Sequence, residues 1–332
     1  MAFIKSINKF VLSQNKDKQL LTPGPASLAS ENLINLKPCF GRGDKEYKNI
    51  ENKVLSMLKK ISGHKHIARL QGSASLALEI LVANFFSGKI LIVDTGVYSD
   101  RIKNMCKFYS KTFKNIKKIK SIKWDKMSEI NEKFDWIFAC PTETSVALRL
   151  PILNLYKLKV KCRARLALDA TASIGLEKDH HYADVLAYSS CKGLFGLTGG
   201  SFIAFNKPAQ IEIKSFYLNI NNHLEGKMTG PYHTILSLYG ILKKYSDFKH
   251  SVITNKNRIT KLMGDKMIYP NENQPLLCSY IKRKLTSKNN KLIFYKSRAD
   301  LPGSVVCHLG EVHLKRKAKG KILDSLRYEK KQ

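Results

Sequence analysis

The sequence predicts an α/β protein: a large domain built on a mainly parallel sheet, followed by a smaller α+β domain. Three observations predict it. Short apolar runs alternate with helix-length segments through the middle of the chain, which implies crossover connections and helices covering both faces of a sheet. The distinctive polar residues fall just after those runs, where ligands collect in such sheets. Beyond about Lys207 the alternation weakens and polar, lysine-rich stretches take over. A length of 332 residues suits one large core and a second, smaller one.

Residues 1–20 are read as an N-terminal arm. The opening MAFIKSINKFVLSQNKDK could form a basic amphipathic turn, but it lacks the apolar core and cleavage site of a signal peptide. Residues 21–227 form the expected large domain. Its candidate strands are Lys89–Asp94, Phe134–Cys140, Arg165–Asp169, Val185–Ser189 and Ser201–Phe205, and its candidate helices Ser75–Phe86, Asp100–Phe113 and Pro151–Lys161. The Ser75–Phe86 segment is apolar on nearly every side, so it is expected to be buried against the sheet. A helix over Pro231–Tyr245 then leads into the small domain, within residues 228–332.

Composition excludes several classes. No apolar run approaches the roughly 18–20 residues of a membrane span. The seven cysteines are scattered with no Cys-x-x-Cys pair, which indicates neither a zinc site nor a disulfide framework and fits a reducing, cytoplasmic setting. The net charge of +32 invites a nucleic-acid reading. Lysine greatly outnumbers arginine and is spread from Lys5 to Lys331, whereas sequence readers rely on arginine and on aromatic platforms. Solvated lysine faces explain the charge more simply, and the denser stretches Lys103–Lys126 and Lys315–Lys321 are where a nucleic-acid surface would have to lie.

Two strand-end residues carry the chemistry. An aldehyde cofactor needs an amine to hold it as an imine, and lysine supplies one. The same amine, once displaced by substrate, can move a proton between Cα and the cofactor. A pyridine ring acts as an electron sink only while its nitrogen stays protonated, which calls for a neighbouring carboxylate. Lys192, in SSCKGLFGLTGG, and Asp169, ending RLALD, meet those two needs. Alone, each has a plainer reading, as a surface lysine and as a helix cap. The segment Gln71-Gly72-Ser73-Ala74-Ser75 opens the buried helix and offers hydroxyls, free N–H groups and the helix dipole to a phosphate. Tyr98 could stack on a cofactor ring, and Thr144 could hydrogen-bond beside it; their plainer readings are core packing and turn capping.

The ordered motifs LLTPGP, QGSAS, VDTGVYSDR, PTETS, LALDATASIG and SSCKGLFGLTGG resemble those of the class V aminotransferases of the fold-type-I, pyridoxal 5′-phosphate (PLP)-dependent superfamily. Within it they are most similar to the 2-aminoethylphosphonate–pyruvate transaminases. The resemblance covers roughly Leu20 to Tyr239. It implies Lys192 as the Schiff-base lysine and Asp169 as partner of the pyridine nitrogen. It also implies Tyr98 as the stacking aromatic, Ser73, Ala74 and Ser75 as phosphate binders, and Thr144 as a cofactor contact. It further implies a homodimer in which Thr229, in KMTGPYHT, reaches the neighbouring subunit's cofactor phosphate. Arg42 and Glu46, in GRGDKEY, resemble a motif at the active-site mouth.

The pattern departs at the substrate. Where the family usually places an arginine that forks onto the substrate's anion, the matching segment, from Pro302 onward, carries Val305. Arg298 and His308 are the nearby candidates for that role, with Arg42. The resemblance thus implies amino transfer from a small amine, such as 2-aminoethylphosphonate, to a 2-oxo acid, most simply pyruvate. The alternatives are an alanine–glyoxylate or serine–pyruvate type aminotransferase, or a cysteine desulfurase-like enzyme using Cys278 or Cys307. An inactive homologue and a basic nucleic-acid-binding protein are the readings outside enzymes.

Overall fold

A computed structural model describes residues 2–15, 19–37, 43–289, 292–309 and 325–329. Helix α1 (Ala2–Asn15) is longer than the expected turn, and strand β1 (Gln19–Leu21) follows it. After the short α2 (Ser30–Leu33) comes α3 (Lys45–Ser62). The Asp44 side chain accepts a hydrogen bond from the Tyr47 N–H at 3.0 Å and starts α3; Gly63, at φ +75°, ends it.

The alternating core follows as β2 (His66–Gln71), α4 (Ala74–Phe85), β3 (Gly88–Asp94), α5 (Val97–Thr112) and β4 (Ile116–Lys123). Then come β5 (Trp136–Ala139), the hairpin β6 (Thr142–Glu143) and β7 (Leu148–Arg149), α6 (Ile152–Cys162), β8 (Arg165–Asp169), β9 (Val185–Ser189) and β10 (Gly200–Phe205). The chain continues through α7 (Ile220–Leu224), α8 (Tyr232–Leu242) and α9 (Tyr245–Met263). The remaining strands are β11 (Cys278–Ile281), β12 (Leu285–Ser287), β13 (Leu292–Phe294), β14 (Ser304–Cys307) and β15 (Leu326–Tyr328).

Seven strands form one sheet in the order β2-β10-β9-β8-β5-β3-β4. The run from β9 to β4 is parallel, while β10 lies antiparallel to both of its neighbours. The mainly parallel sheet is therefore as expected. Strand alternation sorts its side chains. Leu91, Ile137, Leu166 and Leu186 pack with Leu58 of α3, Leu155 of α6 and Ile235 of α8. On the other face Ile90, Ile92, Phe138 and Val185 pack with Leu78 and Leu81 of α4 and Ile102 of α5. Both faces are buried, which is why these strands read as unbroken apolar runs.

The expected strands and helices of this region appear within a few residues of their predicted bounds. Two strands of the seven-stranded sheet escaped the sequence reading, as did the short hairpin strands β6 and β7. β2 (HIARLQ) is a sheet edge of mixed polarity, and β4 (IKKIKSIK) is the opposite edge, with Lys117 and Lys118 exposed. An edge strand has one unpaired side, and lysines there oppose pairing with another chain. The C-terminal strands form antiparallel pairs, β11 with β14 and β12 with β15. β1 pairs in parallel with β13, so the end of the expected N-terminal arm joins the C-terminal region.

Candidate active site

The carboxyl ends of β3, β5, β8 and β9 share one rim, and the end of β2 lies on the same side because its partner β10 starts there. A cavity of about 530 Å³ opens at this rim. Asp169, the last residue of β8, lines it while only 5% exposed. One of its carboxylate oxygens accepts the Thr171 N–H at 3.0 Å.

Lys192 lies in the turn after β9 and lines the same cavity. Several bonds fix that turn. The Gly196 N–H donates to the Ser190 carbonyl at 2.8 Å and the Phe195 N–H to that of Lys192 at 2.9 Å. The Ala26 N–H reaches the Cys191 carbonyl at 2.7 Å, and the Tyr245 hydroxyl donates to Gly193 at 2.9 Å. Gly24 sits at φ +137°, and a Cβ there would lie 2.8 Å from Cγ of Lys192. Only glycine combines that backbone with that approach.

Opposite the lysine, β2 ends and α4 begins. Ser73 is the N-cap of α4 but makes no capping bond with its own side chain, leaving its hydroxyl and the first N–H groups of the helix for a ligand. Ser73, Ala74 and Ser75 all line the cavity. The Gly72 N–H donates to the Gly199 carbonyl at 2.9 Å, tying this loop to the start of β10.

Tyr98 projects from the first turn of α5. Its N–H donates to the Glu143 carboxylate at 3.0 Å, and the same carboxylate accepts the Ser145 N–H at 3.1 Å and the Ser145 hydroxyl. Burial pushes the Glu143 carboxyl above the usual range, although all three donors favour its ionised form. Three cations surround the Tyr98 ring: the Lys192 ammonium at 5.5 Å, the Arg101 guanidinium at 5.1 Å and that of Arg298 at 6.0 Å from its centroid. Arg101 also donates to the Ser75 hydroxyl at 2.9 Å. Among the described residues neither arginine forms an ion pair with a carboxylate. The hydroxyls of Thr142, Thr144 and Thr171 line the same cavity, buried and without a hydrogen-bond partner among the described residues.

Of the residues singled out from sequence, this cavity brings together Lys192, Asp169, Tyr98, Thr144, Arg298 and the Ser73–Ser75 loop. Thr229 is exposed and lines no part of it. Arg42 lies outside the described residues, and Glu46 pairs with Lys37 on the surface. His308 requires correction. It is 1% exposed, its Nε2 meets the Ser279 hydroxyl at 3.0 Å, and burial holds it well below the ordinary histidine range. A neutral imidazole inside the fold cannot serve as an anion site. Sequence reasoning passed over Arg101, although VYSDR was in view, because an arginine on a polar helix usually faces solvent. Thr171 was missed too; its two-residue distance from Asp169 was the available signal.

Comparison with known proteins gives a consistent picture. No protein-family profile matches the chain. It is 23% identical, over 90% of its length, to a bifunctional phosphonoacetaldehyde hydrolase/aminoethylphosphonate transaminase of Clostridioides difficile, of which it covers 54%. The chain thus spans about half the length of that relative. It is 22% identical to a 2-aminoethylphosphonate–pyruvate transaminase of Pseudomonas entomophila, over 69% of this chain and 68% of that one. Among solved structures, a Thermus thermophilus aspartate aminotransferase superposes with a TM-score of 0.78 at 17% identity, covering 93% of this chain and 97% of its own. An alanine–glyoxylate aminotransferase of Nostoc gives 0.77 at 16% identity, with 93% and 94% covered. The chain shares the fold of these aminotransferases. A PLP-bound phosphoserine aminotransferase of Trichomonas vaginalis superposes with a TM-score of 0.69 at 12% identity, covering 92% of this chain and 98% of its own.

The site of this chain fits PLP on its own terms. An amine and a carboxylate face one cavity, three buried hydroxyls there lack partners among the described residues, and a helix start without a side-chain cap, with an arginine beside it, suits a phosphate. Among the described residues no cluster of histidine, cysteine or acidic side chains could hold a metal ion, and no helix is long and apolar enough to cross a membrane.

Proposed function

We propose that this protein is a PLP-dependent aminotransferase that moves an amino group from a small amine to a 2-oxo acid. One observation carries the reading: Lys192, Asp169 and Tyr98 meet in a single cavity that the start of α4 also lines. In this reading Lys192 would hold the cofactor through Nζ, and the same nitrogen, once free, would carry the proton taken from the substrate's Cα. Asp169 would favour a protonated ring nitrogen, and Tyr98 would flank the ring. Ser73, Ala74 and Ser75, with Arg101 beside them, hold the phosphate, and Thr144 bonds near the ring. The bound cofactor supplies an electron sink.

2-Aminoethylphosphonate as donor and pyruvate as acceptor are the substrates we favour, on the support of the two transaminase relatives. A homodimer is part of the same proposal, with exposed Thr229 reaching the neighbour's phosphate site. The desulfurase alternative loses ground. Cys278 and Cys307 are buried free thiols facing each other in the register of β11 and β14, so neither is a mobile nucleophile.

The test is spectroscopic and chemical. Purified protein should show a visible cofactor band that Lys192→Ala abolishes; a colourless wild-type protein after PLP loading would sink the cofactor assignment. A donor screen with pyruvate should yield alanine from 2-aminoethylphosphonate. Alanine formed from other donors but never from that one would overturn the substrate.

A further inference from the structure

A 2-oxo acid carries a carboxylate beside its carbonyl, so an aminotransferase site must hold an anion within reach of its lysine. Three cationic side chains line the cavity. Lys192 is committed to the carbonyl. Arg101 is bonded to Ser75 at the start of α4, which places it on the phosphate side. Arg298 remains, with no carboxylate partner among the described residues and its guanidinium 6.0 Å from the Tyr98 centroid.

We propose that Arg298 is the residue that grips the substrate's acidic group. Its reach is set by a tether. The Ser297 hydroxyl donates to the Ser145 carbonyl, and the Ala299 N–H donates back to the Ser297 hydroxyl at 3.0 Å. Ser145 is held in turn by the buried Glu143 carboxylate, which also fixes the Tyr98 backbone. The loop between β13 and β14 is thereby docked onto the turn of the β6–β7 hairpin, with Arg298 and Tyr98 both lining the cavity. The strand itself offers no cation there: Val305 is 2% exposed and sits opposite Tyr280 in the β11–β14 pair. A guanidinium forks onto a carboxylate or phosphonate through two parallel bonds, which an ammonium cannot reproduce.

This inference rests on the aminotransferase reading, but the two fail separately. The PLP-loaded protein is titrated by calorimetry with propionate and with ethylphosphonate, acids that carry neither an amine nor a carbonyl. Arg298→Ala should weaken binding of at least one of them by ~10-fold or more while the visible cofactor band is retained. Arg298→Lys should recover only part of that loss. In turnover, Arg298→Ala should raise the KM for pyruvate more than it lowers kcat. Wild-type affinity in Arg298→Ala, or loss of anion binding in Arg101→Ala but not in Arg298→Ala, would overturn the assignment. A protein that binds the acids through Arg298 but transfers no amino group would instead remove the enzymatic reading and leave the anion site standing.

Discussion

Gly24 shows how tightly the lysine turn is built. Gly24→Ala combines a left-handed backbone with a Cβ 2.8 Å from the Lys192 side chain, a strain of about 1–3 kcal/mol. We expect a lower unfolding midpoint and, because Lys192 must shift, weaker cofactor retention measured by dialysis. At Asp169 a near-isosteric change isolates charge from shape: Asp169→Asn should keep the Thr171 contact and the fold but reduce amino transfer by ~100-fold or more if the carboxylate holds the ring nitrogen's proton. Residues at strand ends were legible in the sequence because the sheet makes position and chemistry coincide there. Burial decided the misses. His308 and Arg298 stand ten residues apart with similar polar character, and nothing in their neighbours tells that one is enclosed between strands and the other reaches the cavity.

Helix α4 is buried along most of its length against the sheet beside the site. Leu81 is fully buried between it and the sheet, and Leu81→Ala should cost about 2–5 kcal/mol, read as a drop in the denaturant midpoint. Because α4 also presents Ser73–Ser75, cofactor affinity should fall with it. The apolar, all-round character of this helix was plain from sequence, and so were the central strands, since burial on both faces leaves continuous apolar runs. The edge strands were not. β4 spaces its isoleucines three residues apart among lysines and a serine, which gives no period-two strand signal and reads as a charged surface stretch. Helix α9 was hidden for a related reason, because its long polar face dilutes the apolar spacing.

For the molecule as a whole, two couplings to solvent follow. His180 is 3% exposed against the Ser173 hydroxyl, and burial lowers its pKa to about 3 from the ordinary 6.5. The unfolded chain therefore binds a proton that the folded chain refuses across that interval. The contribution is complete above pH about 6.5 and is lost as pH falls toward about 3. Melting temperatures should decline over this window, and His180→Gln should flatten the decline. The net charge of +32 acts in another way. Mutual repulsion among surface lysines opposes the compact state and is screened by salt, so raising sodium chloride from about 20 to about 300 mM should raise the melting temperature at neutral pH. Unchanged melting would show that the lysines are already well separated.

The Arg298 loop has a consequence for how this protein can change over generations. A side chain on a strand has a reach fixed by the pleat, whereas each residue gained or lost in a loop shifts its neighbours by up to ~3.6 Å, and loops accept such edits more readily than strands do. The length of acid the pocket admits is then open to adjustment without disturbing the sheet. Position 305 offers less freedom: Val305 is 2% exposed and paired opposite Tyr280 in β11, so a longer side chain there would have to displace packed neighbours.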